Sequence, residues 1–258
     1  MNDWFIWKGV KSTDVGLHVS TYPPITIPQE RINFIDDVYG RSGSIPMPEG
    51  DDVYNEISLP FSCFIESEQN INSVITYLKG HGTLQYPTRS GGYYNAYIDN
   101  QIPFEKILRD NPYRMFSINF RCYDPFFYDL TNTPIVITSN NQTITNPGNV
   151  FAEPRVEING SGSFTISIGQ SASTLRRMSF QNVPVGGIAI VPGVMDATSP
   201  DGSSNLNNCV LDDISDDFFI LYPGLSTISW SLGGGDNSDS SLTNAVNSIT
   251  ITPNWRRL

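Results

Sequence analysis

The chain has 258 residues, a formal net charge of -11, 39% hydrophobic residues and only 16% charged ones. That is long enough for one large domain or two ordinary ones, and too apolar for disorder. The acidity argues against a nucleic-acid-gripping surface, which needs clustered Lys and Arg to release counterions, and no window here is strongly basic.

Twenty-one Gly and eighteen Pro favour many short elements joined by turns, so β over α. Three cysteines, Cys63, Cys122 and Cys209, are odd in number and widely spaced, which fits reduced thiols rather than a disulfide scaffold. The N-terminus MNDWFIWKGV has neither the basic region nor the long apolar core of a secretory signal.

In chain order, Trp4 to Val19 reads as a strand, a turn and a strand. Tyr22 to Pro28 (YPPITIP) is extended, because proline fixes φ and moves the residue before it out of the α region. Arg41 to Asp52 is a long aperiodic loop of the kind that is usually functional or bound to something. Tyr54 to Ile65 alternates, with Ile57, Leu59, Phe61 and Cys63 on one face.

One helix is predicted, since Ile71, Val74, Ile75 and Leu78 fall at i, i+3, i+4 and i+7. Ser67 is its N-cap, Lys79 suits its last turn and Gly80 stops it. Strands follow at Thr83–Tyr86, Tyr93–Ile98 and Ile102–Leu108, with turns at Ser90-Gly91-Gly92 and Asp99-Asn100. The segment PFEKILRD is left open between strand and helix.

Met115 to Tyr123 is the clearest strand, with Phe116, Ile118, Phe120 and Cys122 on its buried face. Pro125 is expected to end it. Beyond it Phe126, Phe127 and Tyr128 are candidates for a domain junction, or else belong wholly to the first core. After residue 130 the composition shifts: no lysine and no histidine occurs there, and eight or more short strands alternate with turn signals. The reading is an antiparallel β-sandwich over residues 131–258, behind a first domain of residues 1–130. Arg155–Ile158 and Phe164–Ile168, flanking NGSGS, read as a hairpin.

Catalytic and metal chemistry finds little to stand on. His18 and His81 are isolated, and the cysteines lack metal-ligand spacing. Asp212, Asp213, Asp216 and Asp217, and the segment Gly233–Ser241, supply oxygen donors of a calcium-binding kind, but match no calcium loop and read as solvated loops. A Ser-His-Asp triad cannot lie wholly in the second half, and no phosphate loop is present. No cofactor, metal or catalytic residue is assigned. Trp255 and Tyr222 are weak candidates for sugar contacts, while Trp230 lies in an alternating strand and belongs to the core.

Three stretches carry a resemblance. The Cys122–Tyr128 run CYDPFFY closes a strand. Asn146–Ile168 (NPGNVFAEPRVEINGSGSFTISI) and Leu221–Ser231 (LYPGLSTISWS) follow at the right order and spacing. Together they resemble the distal tail (Dit) proteins of siphophage-type bacteriophages and prophage tails, across essentially the whole chain.

The resemblance implies a mainly β protein: a β-rich, one-helix N-terminal domain that forms a homo-hexameric ring, and a galectin-like or carbohydrate-module-like sandwich outside it. It implies a structural virion protein at the tail tip, made in the bacterial cytoplasm, without enzymatic activity. The ring would join the major tail tube protein to the baseplate, to a tail-associated fibre or lysin protein and to receptor-binding proteins of the host-adhesion apparatus. DNA would pass through its channel unbound. A ring needs a heterologous interface. Ile25, Ile27, Ile32, Ile35, Arg41 and Met47 are the candidate inter-subunit arms, adding edges to a neighbour's sheet, with ordinary surface loop as the competing reading. The alternative function is a carbohydrate- or receptor-binding module attaching a particle to a bacterial surface.

Overall fold

The computed structural model describes residues 3–36, 39–40, 42–50, 52–106, 112–192, 196–211, 218–233 and 242–258. The chain divides into two compact units, one running to Leu130 and one from Thr131 to Arg257.

The strands of the first unit are β1 (Ile6–Trp7), β2 (Val10–Lys11), β3 (Leu17–Thr21), β4 (Ile32–Ile35), β5 (Ile45–Pro48), β6 (Ile57–Ile65), β7 (His81–Tyr86), β8 (Arg89–Ile98), β9 (Glu105–Lys106) and β10 (Arg114–Asp129). An antiparallel sheet runs in the order β2-β1-β7-β8-β10-β6-β3. Alternation decides its faces: Ile57, Leu59, Phe61 and Cys63 of β6 and Phe116, Ile118, Phe120 and Cys122 of β10 are all buried. The core is aromatic at its centre. Phe61 packs edge-on against Phe120 at 5.3 Å, and Trp7 lies 5.0 Å from Phe120; such pairs add about 0.5–1.5 kcal/mol each beyond burial.

Helix α1 (Ile71–Leu78) follows a short 3₁₀ turn that Ser67 caps by accepting from the Gln69 amide. Its buried side chains are Val74, Tyr77 and Leu78, whereas Ile75, placed by periodicity on the apolar face, is exposed. Two expectations about this unit need correction. Ser90-Gly91-Gly92 is not a turn but lies inside β8; the turn falls at Pro87-Thr88. Nor does Pro125 end its strand, because β10 continues to Asp129. Pairing with β6 stops at Cys122, and the register with β8 shifts on both sides of Asp124. A residue without an amide hydrogen is tolerated at such a bulge. His81 opens β7.

The second unit contains β11 (Ile135–Ile137), β12 (Gln142–Asn146), β13 (Arg155–Gly169), β14 (Arg176–Val183), β15 (Ile188–Val191), β16 (Asp196–Thr198), β17 (Cys209–Leu211), β18 (Gly224–Leu232) and β19 (Ala245–Thr252). The NGSGS hairpin does not form. Arg155 to Gly169 is one strand that kinks at Gly160-Ser161-Gly162. Before the kink it pairs with β15 and β19; after it, with β14 and β18. The unit is therefore two antiparallel sheets, β11-β19-β13-β15-β16 and β12-β18-β13-β14-β17, that share β13. Val156, Ile158, Ile249 and Ile251 of one sheet meet Phe164, Ile166, Phe180 and Ile228 of the other in a common core.

Candidate functional site

The first unit carries a segment that its own core does not need. β4 and β5 pair only with each other, as a two-stranded ribbon. At its root the ribbon is tied by backbone bonds from the Arg31 amide to the Val53 carbonyl (2.9 Å) and from the Asn55 amide to the Gln29 carbonyl (2.8 Å). Arg31 also pairs with Glu49 at 3.2 Å. Tyr54, beside the root, packs edge-on against Phe126, and burial, then the nearby carboxylates of Asp52 and Glu30, push its phenol up.

Register puts Ile32, Phe34, Pro46 and Pro48 on one face of the ribbon and Asn33, Ile35, Ile45 and Met47 on the other. Both faces are thus largely apolar. Phe34 is 59% exposed, Met47 49% and Ile35 46%; Ile32 is half-buried. On the approach to the ribbon, Ile25 and Ile27 stand out at 67% and 78%, anchored between the buried prolines Pro23 and Pro28. A two-stranded ribbon is marginal by itself, and one with apolar residues on both faces more so.

The prolines define what the ribbon offers. A residue lacking N–H cannot occupy a hydrogen-bonded pair, so Pro46 and Pro48 sit where an amide would point outward from β5. At those two positions the β5 edge has no amide to donate to another sheet, whereas the amides of Ile32 and Phe34 point outward from β4. Of the candidate arm residues, Ile32, Ile35 and Met47 lie in the ribbon, and Ile25 and Ile27 in the segment that leads to it. Arg41 lies outside the described residues.

A second apolar surface of the same unit is a groove of about 500 Å³ beside α1, lined by Ile75, Leu78, Ile98, Ile102 and Phe104, with Lys79, Gly80 and Asn100 at its border. Sequence reasoning assigned Ile75 to the core and placed Ile102 in a strand over Ile102–Leu108, with Pro103 onward open between strand and helix; among the described residues only Glu105–Lys106 of that stretch is strand, residues 107 and 108 lie outside them, and the exposure of Ile75 marks the groove.

The remaining candidates fall elsewhere. Pro125, Phe126 and Phe127 are buried within β10; Phe127 meets Tyr94 at 5.2 Å, and Tyr128 stacks on Tyr93 at 5.6 Å. In the second unit the Tyr222 hydroxyl accepts from Arg176 at 2.7 Å, and its ring faces that guanidinium and Phe151. Trp255 and Trp230 are half-buried against the second core. Grooves on the two sheet faces, of about 550 and 420 Å³, are lined by other residues than Tyr222 and Trp255, such as Arg177, Ser179 and Trp230 in the first and Arg155 and Glu157 in the second. The aspartates at 212, 213, 216 and 217, and residues 234–241, lie outside the described residues. Among the described residues no group of three His, Cys, Asp or Glu side chains could hold a metal ion, and no helix is long and apolar enough to cross a membrane.

Neither a protein-family model nor a curated protein sequence matches this chain. Solved structures do. The crystal structure of the Dit protein of phage SPP1, described as a paradigm of the hub adsorption apparatus in phages infecting Gram-positive bacteria, superposes with a TM-score of 0.69 at 11% identity, over 96% of each chain. A chain of the phage p2 baseplate, in its activated conformation with Sr, aligns over 97% of each chain at 13% identity with a TM-score of 0.47. This mainly β, two-unit chain therefore has the fold of a phage hub protein. Specifically, that fold is the Dit type.

Proposed function

We propose that the protein is a structural hub of a phage tail: a homo-hexameric ring at the distal end of the tail tube that joins the tube to the baseplate or tail tip and its host-adhesion proteins. The observation that carries this reading is the Dit fold matched end to end, over 96% of both chains. The ribbon supports it independently, because a chain that leaves Ile27, Phe34 and Met47 in water has apolar surface left for a partner. The two units would divide the labour, the first closing the ring and the sandwich standing outside it. The role asks for no catalysis and no cofactor. A formal charge of -11 suits a channel that DNA passes without being gripped.

Sedimentation velocity across a concentration series, with negative-stain images of the heaviest species, tests the proposal. The expected result is a concentration-dependent species with the mass of six copies and a central hole. A chain that stays monomeric or trimeric and is retained on cell-wall polysaccharide would replace the hub with a surface-binding module.

A further inference from the structure

The ribbon needs an acceptor, and the first unit supplies a surface that complements it in chemistry and in place. This inference rests on the tail-hub reading.

Periodicity directs Ile75 toward the core of its own unit, yet it is 41% exposed, while Val74 and Leu78 beside it are buried. With Ile98, Ile102 and Phe104 it walls an open apolar groove. Lys79 lines the groove, and Lys8 Nζ donates to the Lys79 carbonyl at 2.7 Å, which brings a second ammonium to the same corner; Asp99, in the Ile98–Phe104 segment, is engaged by Asn119 and Arg121 instead. Counted along the sequence, the ribbon and its root together have the opposite sign: residues 29–55 contain six acidic residues (Glu30, Asp36, Asp37, Glu49, Asp51 and Asp52) against Arg31 and Arg41, a formal charge of -4, with Glu49 paired to Arg31. An acidic, apolar-faced ribbon and a lysine-bordered apolar groove match in both respects.

Place comes from register. The ribbon is rooted just before β6, at the end of the sheet where Ile57 pairs with Cys122. Phe104 packs on Phe116 at 4.7 Å, and Phe116 pairs with Cys63, six residues along β6; at about 3.3 Å per residue that is about 20 Å from the root. The two patches thus differ in composition and lie apart along the sheet. A contact between them joins unlike surfaces of successive copies, the heterologous kind that propagates until a ring closes.

We propose that the groove between α1 and the Ile98–Phe104 segment receives the Ile32, Phe34, Pro46 and Pro48 face of the ribbon from a second copy of this chain, with Lys8 and Lys79 meeting the ribbon's carboxylates.

Cysteine trapping in the full chain tests it. Cys209 is replaced by Ser, since Cys63 and Cys122 are buried. One preparation carries Asp36→Cys, which keeps Phe34, a second Ile75→Cys, and a control Val185→Cys; all three positions are exposed, and circular dichroism checks the fold of each. Under mild oxidation the Asp36→Cys and Ile75→Cys mixture should give a cross-linked pair in about tenfold higher yield than Asp36→Cys with Val185→Cys, as a high effective concentration in the bound pair requires. Adding Lys79→Glu to the Ile75→Cys copy should lower that yield. Equal yields in mixture and control would overturn the proposal. Ring-sized masses of the unmodified chain alongside equal yields leave the hub and discard only this contact; cross-linking with no species above two copies keeps the contact and discards the ring; neither cross-link nor assembly discards both.

Discussion

Phe34 stands directly opposite Pro46 across the β4–β5 ribbon, and both residues face solvent. The proline leaves the outer edge of its strand without an amide at that position, and the phenylalanine leaves apolar area exposed to solvent. Phe34→Ser should leave unfolding stability within about 0.5 kcal/mol of the parent, as for exposed sites generally. Self-association should fall by about tenfold or more, since burying a phenylalanine is worth about 1.5–3 kcal/mol. Thermal melts and sedimentation on the same samples measure both. A large drop in melting temperature would mean that Phe34 belongs to the core of its own unit.

Tyr77 ties α1 to the first strands. Its hydroxyl accepts from the Trp7 amide at 3.1 Å and donates to the Val10 carbonyl at 2.9 Å, and its ring stacks on Phe5. Tyr77→Phe removes only the oxygen and strands a buried amide. The expected cost is about 1–3 kcal/mol, read by denaturant unfolding, with faster hydrogen exchange at the Trp7 amide as the local signature. Unchanged exchange at that amide would show that the hydroxyl is dispensable.

Two glycines of the second unit hold positions that a side chain cannot. Gly187 has φ +97°, and a Cβ there would lie 1.7 Å from the Ile158 carbonyl oxygen. Gly162 has φ +78° at the kink of β13, with Asn244 Oδ1 2.4 Å from its would-be Cβ. Gly187→Ala must displace backbone of the strand it crosses and should cost more than the about 1–3 kcal/mol of left-handed strain alone. Gly162→Ala meets a side-chain atom and nearby Asn244 backbone and should fall at or above that range. Calorimetry should show the loss in the second unit's transition with Gly187 the worse; the reverse order would contradict this account of the kink.

Alkaline pH should unfold the first unit. Burial pushes the Cys122 thiol and the Tyr94 phenol up to about 12, and drives Cys63, Tyr77 and Tyr86 higher. Unfolded thiols and phenols ionise at about 8.5 and 10. Above those values the unfolded state holds fewer protons than the folded one, so stability is full below about pH 8.5 and declines as pH rises toward 12. Denaturant titrations at rising pH, followed by near-ultraviolet dichroism, should show the midpoint falling from about pH 9 upward. The two buried thiols should stay inert to thiol reagents in the native protein at neutral pH. A flat midpoint through pH 11, or fast labelling of Cys63, would contradict their burial.

Strand faces were legible in the residues because side chains alternate with period two, so Phe116 to Cys122 and Ile57 to Cys63 announced which way they point before any partner was known. The helix was legible for the same kind of reason, and the all-strand second half followed from its turn-rich, lysine-free composition. The ribbon was half legible. Ile32, Ile35 and Met47 stood out as apolar residues in a loop-like stretch, but their pairing into a ribbon depends on hydrogen bonds between segments 10 or more residues apart. The groove was hidden, because helical periodicity marks Ile75 as apolar and says nothing of whether its own unit has room for it.

What the chain alone settled, then, is chemistry and periodicity: an acidic, cysteine-poor, turn-rich polymer whose strands each know their inner face. Where strands begin, end and find partners came from contacts distant in sequence. Gly160-Ser161-Gly162 has the local makings of a reversal, yet β19 on one side and β14 and β18 on the other supply backbone partners that carry β13 on past a kink. Pro125 has the local makings of a stop, yet β8 keeps pairing across a bulge. Local propensity is worth about a kilocalorie per residue, and a ladder of long-range hydrogen bonds over a shared core outweighs it.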